Sequence, residues 1–576
     1  MSALVNTDSV HARAAALVLD AFLDYNARFS DITRRAKRRF ERRDWKYERV
    51  DANARIDLYD VCLNETLGRL ELLLEERVRS RRVWSAMREG FEALVEDMLD
   101  RELPKTFFNS LSRRFFHTVG VAADIEFVAL DSEPTDGIGE VADLHRYAIG
   151  DGLDDICRRI LEDFPFANGY ADLRQSATAI ARTLALRLDA RTELAAQAIE
   201  LIPTAFFRER RAYLVGRARA AQGIMPLVIA LVSTADGVRA DAVITEADQV
   251  SLLFSHTRSY FHADLPSIGD IVVFLGSLMP HKPIEERYTV LGRAKQGKTE
   301  RYRHLFRHLE ARADERLQRA DGERGMVMAV FTPRDYPLVF KVIRDRFACP
   351  KDIGRRQVEE KYRLVFGYDR VGRLVDAQEF RHLRFPRRQF AADMLSELLD
   401  ECAESVSLDD EHVLVRHCYV ERRLRPMNLY VREVDNDAAI RAMIDYGQSV
   451  KDLARSNIFP GDLLLKNFGI TRGGRAIFYD YDELCLLETC RFRELSEVRE
   501  DDETRPLEDW LTVRENDVFP ELFPRFLGVP DALRAALVER HGEIFTAGWW
   551  REVQRGLANG AYSDVPPYPQ SVRLDS

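Results

Sequence analysis

Four side chains far apart in the chain have the types and the order needed to move a phosphoryl group. Lys341 stands among apolar strand-forming residues in "LVFKVI", where a lysine is costly unless it has a partner. Asp462 and Asn467 hold an Asp-x4-Asn spacing in "GDLLLKN", and Asp480 closes an apolar run in "FYDYDE". Transfer from ATP needs a lysine on the phosphates, carboxylate and amide oxygens on Mg²⁺, and a carboxylate that orients the attacking hydroxyl. Protein kinases place these parts in a fixed order: a glycine-rich loop, a strand lysine, Asp-x4-Asn, then a metal-binding Asp. The same order runs here, with "ADGERGMVMAV" (320–330) as the glycine-containing turn ahead of the lysine strand. Gly322 and Gly325 let a backbone approach phosphate closely, although the full G-x-G-x-x-G is missing. Taken singly, a snorkelling lysine, a helix-cap Asp or a turn Asn explains each position. The ordered set points to a kinase-type site, with Asp462 as base and Asn467 and Asp480 as metal ligands.

Two departures from the usual set bear on the chemistry. Phe-Pro-Gly replaces the His-Arg that normally precedes the catalytic Asp, and Asp-Tyr-Asp replaces Asp-Phe-Gly, which adds a second carboxylate, Asp482. Glu360, nineteen residues after Lys341, is a candidate ion partner for it, although "RRQVEEKYRL" also reads as plain surface helix.

A rival phosphate motif lies upstream. "GRAKQGKT" (292–299) fits G-x-x-x-x-G-K-[ST] without mismatch. A P-loop needs a buried strand before it and a helix opening at Lys-Thr, yet "HKPIEERYTVL" is charged and leaves only Tyr288 to Leu291 as strand. No hydrophobic run matching a second nucleotide-site strand follows, so the segment reads as a connection into a surface helix. His304 and His308 on that helix share the i, i+4 spacing of zinc ligands, but no general base or third ligand accompanies them, and a structural face is expected.

The elements that must position these groups can be read from periodicity. Residues 8 to about 115 place apolar side chains at three- and four-residue intervals, helix after helix. A short β-like run begins "DIEFVALDSEPTDGIGE" (124–140), helices return at 153–163 and 170–202, and "MPLVIALVSTADGVRADAVIT" (225–245) is a hairpin around Ala-Asp-Gly. Strands then dominate from "MVMAVFTP", with a long helix near 436–456 before the Asp-x4-Asn loop; only the tail "DVPPYPQ" reads as loose. The pattern is α+β, with a natural cut near 310–318.

A length of 576 residues permits several domains, and a net charge of −10 argues against a general nucleic-acid binder. The basic run "RRAKRRFERRD" (34–44) interleaves with acids and reads as a solvated helix face. Seven scattered cysteines without a CxxC pair argue against a disulfide framework or a cysteine zinc site and fit a reducing cytoplasm. Neither a signal peptide nor a membrane span is legible.

The motifs resemble one family, the bacterial isocitrate dehydrogenase kinase/phosphatases. The likeness rests on "RGMVMAVFT", "VFKVIRDRFA", "YDRVGRLVDAQEF", "NIFPGDLLLKNFGI" and "FYDYDE", and on "FFNSLSRRFF", "AYLVGR" and "RSYF" in the first half. It implies a mainly α-helical regulatory domain over 1–315, then a bilobal protein-kinase-like domain over 316–576. It implies ATP and ADP held by Ala320, Asp321, Gly322, Glu323, Arg324, Gly325, Met326 and Lys341, and Mg²⁺ or Mn²⁺ on Asn467 and Asp480. Asp376 of "LVDAQEF" takes the family's active-site aspartate, beside Asp462 and Asp482. The implied activity is phosphorylation of isocitrate dehydrogenase on a serine and removal of that phosphate at one site. This would balance the tricarboxylic acid cycle against the glyoxylate bypass, with AMP as effector. A kinase-like enzyme lacking the phosphatase activity is the alternative, and a homodimer is compatible with either.

Overall fold

The computed structural model describes residues 9–127, 143–189, 196–254, 261–347, 354–368, 372–494, 516–560, 564 and 566–574. These residues form two compact units, one from 9–311 together with 566–574, the other from 312–564.

The first unit opens with four helices, α1 (Val10–Arg42), α2 (Glu48–Leu74), α3 (Arg81–Val95) and α4 (Glu102–Phe116). Ser9 caps α1 by accepting from the Ala12 N–H. Its stripe of Val18, Phe22, Tyr25, Phe29 and Ile32 buries against Tyr59, Trp84, Phe91 and Phe107 of the next three helices. The basic run lies on α1 as expected, with Arg34 paired to Asp31 and Arg39 to Asp51. The β-like run expected at 124–140 falls mostly outside the described residues.

A six-stranded antiparallel sheet follows, of which only one hairpin is legible in the sequence. It comprises β1 (His145–Ala148), β2 (Ala198–Leu201), β3 (Phe206–Arg208), β4 (Arg211–Ala220), β5 (Gly223–Thr234) and β6 (Gly237–Ile244), in the order β1-β2-β4-β5-β6 with β3 beside β4. The hairpin is β5–β6, as its Asp-Gly turn predicts. Helices α5 (Leu153–Asp163) and α6 (Leu173–Asp189) cover one face. Helices α7 (Ala247–Leu253), α8 (Ile268–Leu278) and α9 (Ile284–Val290) cover the other. The expected helix over 170–202 therefore ends early, because its last residues join the sheet as β2. The closing residues correct another expectation: the described part of "DVPPYPQ" is not loose. Tyr568 and Val572 are buried in the core of this unit, and Arg573 bridges to Ala242 on β6.

The Walker-like segment turns out to be helical. The residues before it are helix α9, and Gly297 lies inside α10 (Ala294–Ala311). A side chain at Gly297 would meet the Glu285 carbonyl oxygen at 2.4 Å, so this glycine serves a close helix–helix approach. His304 on α10 pairs with Glu285 at 3.3 Å, which raises its pKa.

The second unit begins with an antiparallel sheet of β7 (Leu317–Arg319), β8 (Met328–Pro333), β9 (Leu338–Ile343), β10 (Gln378–Pro386), β11 (Val406–Leu408) and β12 (His412–Arg422). Its order is β10-β12-β9-β8-β7, with β11 beside β12. Helix α11 (Arg355–Tyr368) lies between β9 and β10 in the chain, and α12 (Ala392–Glu401) follows β10. A helical part comes next: β13 (Arg425–Pro426), α13 (Met427–Glu433) and α14 (Asn436–Arg455), then β14 (Ile458–Phe459), β15 (Phe468–Ile470), β16 (Ala476–Phe478) and β17 (Cys485–Leu486). One hydrophobic core runs from Val327 and Tyr362 through Tyr446, Phe468 and Phe478 to Trp550.

Candidate active site

Strand β9 is buried along its whole length and carries Lys341 with it. Beside it, β12 runs antiparallel in a register that sets Tyr419 opposite Lys341 and Glu421 opposite Val339. The Lys341 ammonium sits 2.8 Å from Glu421 Oε2 and donates to the Tyr479 carbonyl at 2.7 Å. It also lies 5.1 Å and 5.8 Å from the ring centres of Tyr479 and Tyr481. The expected partner, Glu360, does not take this role: it pairs at 3.1 Å with Arg356 on the surface of α11. The carboxylate comes from the neighbouring strand instead. An acidic residue within the apolar run "CYVER" was the available signal for it.

The Asp-x4-Asn loop leaves β14 and is folded by its own polar groups. Asp462 Oδ1 accepts from the Leu464 N–H at 3.0 Å and from the Asn467 side-chain amide. From below, Tyr446 of α14 donates its hydroxyl to the Leu463 carbonyl at 2.6 Å. The unusual Phe-Pro-Gly has a steric reason. Gly461 sits at φ +92, and a Cβ there would lie 2.4 Å from Glu483 Cβ and 2.8 Å from its carbonyl oxygen. Only glycine lets the catalytic-type loop abut the Asp-Tyr-Asp-Glu segment this closely.

That segment is pinned by tyrosines. Tyr481, almost fully buried, donates its hydroxyl to the Val375 carbonyl at 2.6 Å and packs edge-on against Tyr362 of α11. Asp480 and Asp482 lie close enough to share a hydrogen bond. Removal from bulk water, then the adjacent Asp482 charge, push the Asp480 carboxyl up to about 7, against the pull of Lys341.

These parts surround a cavity of about 350 Å³. Lys341, Asp462, Asn467, Asp480 and Asp482 line it, and so does the whole stretch Ala320, Asp321, Gly322, Glu323, Arg324, Gly325 and Met326. A Cβ on Gly325 would lie 2.7 Å from the Met328 carbonyl oxygen, so the stretch is tightly folded at that point. Arg344 ties it down by donating to the Gly325 carbonyl at 3.0 Å and reaching Glu397 at 2.6 Å. Ion pairs Asp321–Arg425 and Glu323–Lys466 connect it to the opposite wall, the latter at 3.1 Å. Arg344, Glu397 and Lys466 had no predicted role, because charged residues flanking a turn read as ordinary surface. Asp376 is not among the lining residues. It follows Val375 directly and accepts from Gln378 at 3.3 Å.

The donor set suits a hard divalent cation. Two carboxylates close enough to hold one proton between them, beside an amide oxygen, are oxygen ligands of the kind Mg²⁺ and Mn²⁺ take.

Comparison with known proteins decides the family. Residues 315–570 match the model of the isocitrate dehydrogenase kinase/phosphatase (AceK) kinase domain, and residues 15–313 match the regulatory domain of the same family. The chain belongs to the isocitrate dehydrogenase kinase/phosphatase family. It is 52% identical over 561 residues to the isocitrate dehydrogenase kinase/phosphatase of Xanthomonas euvesicatoria pv. vesicatoria (strain 85-10), covering 97% of each chain. It is 43% identical over 576 residues, 99% of each chain, to the protein of that name from Anaeromyxobacter sp. (strain Fw109-5). Every cavity residue falls within the kinase-domain match of this isocitrate dehydrogenase kinase/phosphatase family member.

Proposed function

We propose that the chain phosphorylates isocitrate dehydrogenase on a serine with ATP, and removes the same phosphate in the same cavity. The observation that carries this reading is the gathering of Lys341, Asp462, Asn467, Asp480 and Asp482 around one cavity. In the forward direction Asp462, held by its own loop, accepts the proton of the serine hydroxyl. Lys341 stabilises charge on the transferring group from a fixed position on β9. Asn467 and Asp480 hold the divalent cation, whose chemistry when bound is to neutralise phosphate oxygens. In the reverse direction Asp482 orients the attacking water. Asp376, which follows the Val375 carbonyl that anchors Tyr481, is the alternative active-site carboxylate for that role. The stretch 320–326 folds over the phosphates of ATP or ADP once its ion pairs to Arg425 and Lys466 open; both pairs are solvent-exposed and therefore weak.

The regulatory-domain match supports control by a small effector, and the reading takes AMP as that effector. Among the described residues no helix is long and apolar enough to cross a membrane; the reading takes the enzyme as cytoplasmic. Through its substrate it would divide carbon between the tricarboxylic acid cycle and the glyoxylate bypass, as a monomer or a homodimer.

The test uses the full chain with purified isocitrate dehydrogenase. Label from [γ-³²P]ATP should appear on a serine and be released again with ADP present, and AMP should shift the balance. Transfer without release would reduce the protein to a kinase, and no transfer at all would overturn the reading.

A further inference from the structure

Six of the seven cysteines fall in described parts of the chain; Cys349 does not. Cys62, Cys157, Cys402 and Cys418 are buried, and burial pushes the thiols of Cys62, Cys157 and Cys402 up, which makes them inert. Cys485 and Cys490 differ in exposure and in being paired. Both are partly exposed, and their sulfurs lie 3.5 Å apart across a single helical turn, Leu487–Thr489. A hydrogen bond joins the two sulfurs, and Lys361 of α11 adds positive potential. Together they lower the pKa of the Cys485 thiol, while that of Cys490 is raised.

The place of the pair in the fold gives it leverage. Cys485 lies on β17, opposite Phe459 of β14, which runs straight into the Asp462 loop. It is also the second residue after Glu483, whose backbone packs on Gly461. On the other side, the Cys490 carbonyl accepts from Gln554 at 2.8 Å, and the Leu487 N–H donates to the Asn457 carbonyl at 3.1 Å. Drawing the sulfurs from 3.5 Å to a bonding distance of about 2.05 Å fixes both side chains in one geometry and transmits any remaining misfit to these anchored ends.

We propose that Cys485 and Cys490 form a thiol/disulfide site that takes two-electron oxidants, hydrogen peroxide or glutathione disulfide, and that closing it slows phosphoryl transfer. With peroxide, the Cys485 thiolate attacks one oxygen, the O–O bond breaks and hydroxide leaves, giving a sulfenic acid at Cys485. The Cys490 sulfur then attacks that sulfur, the S–O bond breaks, and the Cys490 proton leaves with the departing oxygen as water. Two thiols and one peroxide become one disulfide and two waters. A dithiol reductant reverses the change by exchange. A labile pair of this kind is compatible with a reducing compartment, where disulfides act transiently.

The test has a chemical arm that is independent of the proposed substrate and an activity arm that rests on it. The full chain is treated with limiting peroxide, alkylated and cut at glutamate. Cleavage after Glu488 separates the two cysteines, so their fragments should stay joined until reduced, while the buried cysteines stay free thiols. Cys490→Ser should accumulate a dimedone-reactive sulfenic acid at Cys485, and Cys485→Ser should give neither product. Joined fragments that never appear, or that link to another cysteine, would overturn the site. In the activity arm, phosphorylation of isocitrate dehydrogenase by the oxidised wild type should fall about tenfold or more and return with dithiothreitol. Cys490→Ser, normal beforehand, should not show this reversible loss. A disulfide that forms without changing the rate would overturn the coupling to the catalytic loops. Absence of transfer in the reduced protein would fault the functional reading and leave the chemical arm to decide the site.

Discussion

At the scale of single residues, Lys341 is held by two acceptors, the Glu421 carboxylate and the Tyr479 carbonyl. Lys341→Ala should abolish both phosphorylation and dephosphorylation, since both use the nucleotide. Glu421→Gln should lower kcat for phosphorylation by about 10- to 100-fold, whereas Glu360→Ala should match wild type; equal effects of the two would refute the strand-borne pairing. Asp482→Ala should slow dephosphorylation by about a hundredfold or more and phosphorylation far less, checked by measuring the two directions separately. The Asp480 carboxyl adds a pH dependence. Its folded pKa, about 7, lies above the ordinary 3.8, so its contribution to the cation-free fold is full below 3.8 and is lost as pH rises through 7. Cation binding must displace that proton, so Mg²⁺ affinity should rise about tenfold per pH unit below 7 and level off above it. Calorimetric titration at several pH values checks this, and Asp482→Asn should flatten the dependence.

At the scale of elements, the site is made by loops that touch because particular residues let them. Gly461→Ala adds a Cβ within 2.4 Å of Glu483 at a positive φ, and should cost about 1–3 kcal/mol, with a lower Tm and a larger fall in kcat than in ATP affinity. Tyr446 and Tyr481 anchor the same two loops through backbone carbonyls. How much of this was legible depended on range. The Asp-x4-Asn loop, the lysine strand and the metal-type Asp could be read because each carries its spacing locally. Glu421 could not, because its meaning comes from a cross-strand register between β9 and β12, some eighty residues apart in the chain. Strand β2 was read as the end of a helix, since its four residues gain their identity only from pairing with β1 and β4. Asp376 was assigned from likeness alone, and it is not among the residues that line the cavity.

At the scale of the molecule, a perfect eight-residue motif proved to be packing. In "GRAKQGKT" the second glycine is used to bring two helices together, and Lys298 lies within a helix. Lys298→Ala should therefore keep ATP-dependent phosphorylation of isocitrate dehydrogenase within about twofold of wild type, the range of ordinary surface substitutions. A loss comparable to that of Lys341→Ala would move the nucleotide to the other unit. The segment 566–574 raises a question of timing. Tyr568 and Val572 fill the interior of the unit that is made first, yet the ribosome reaches them only after the entire kinase unit. At roughly 5–20 residues per second, the early-made unit must wait some tens of seconds with part of its interior open. Its assembly is finished only once residues 566–574 have been made.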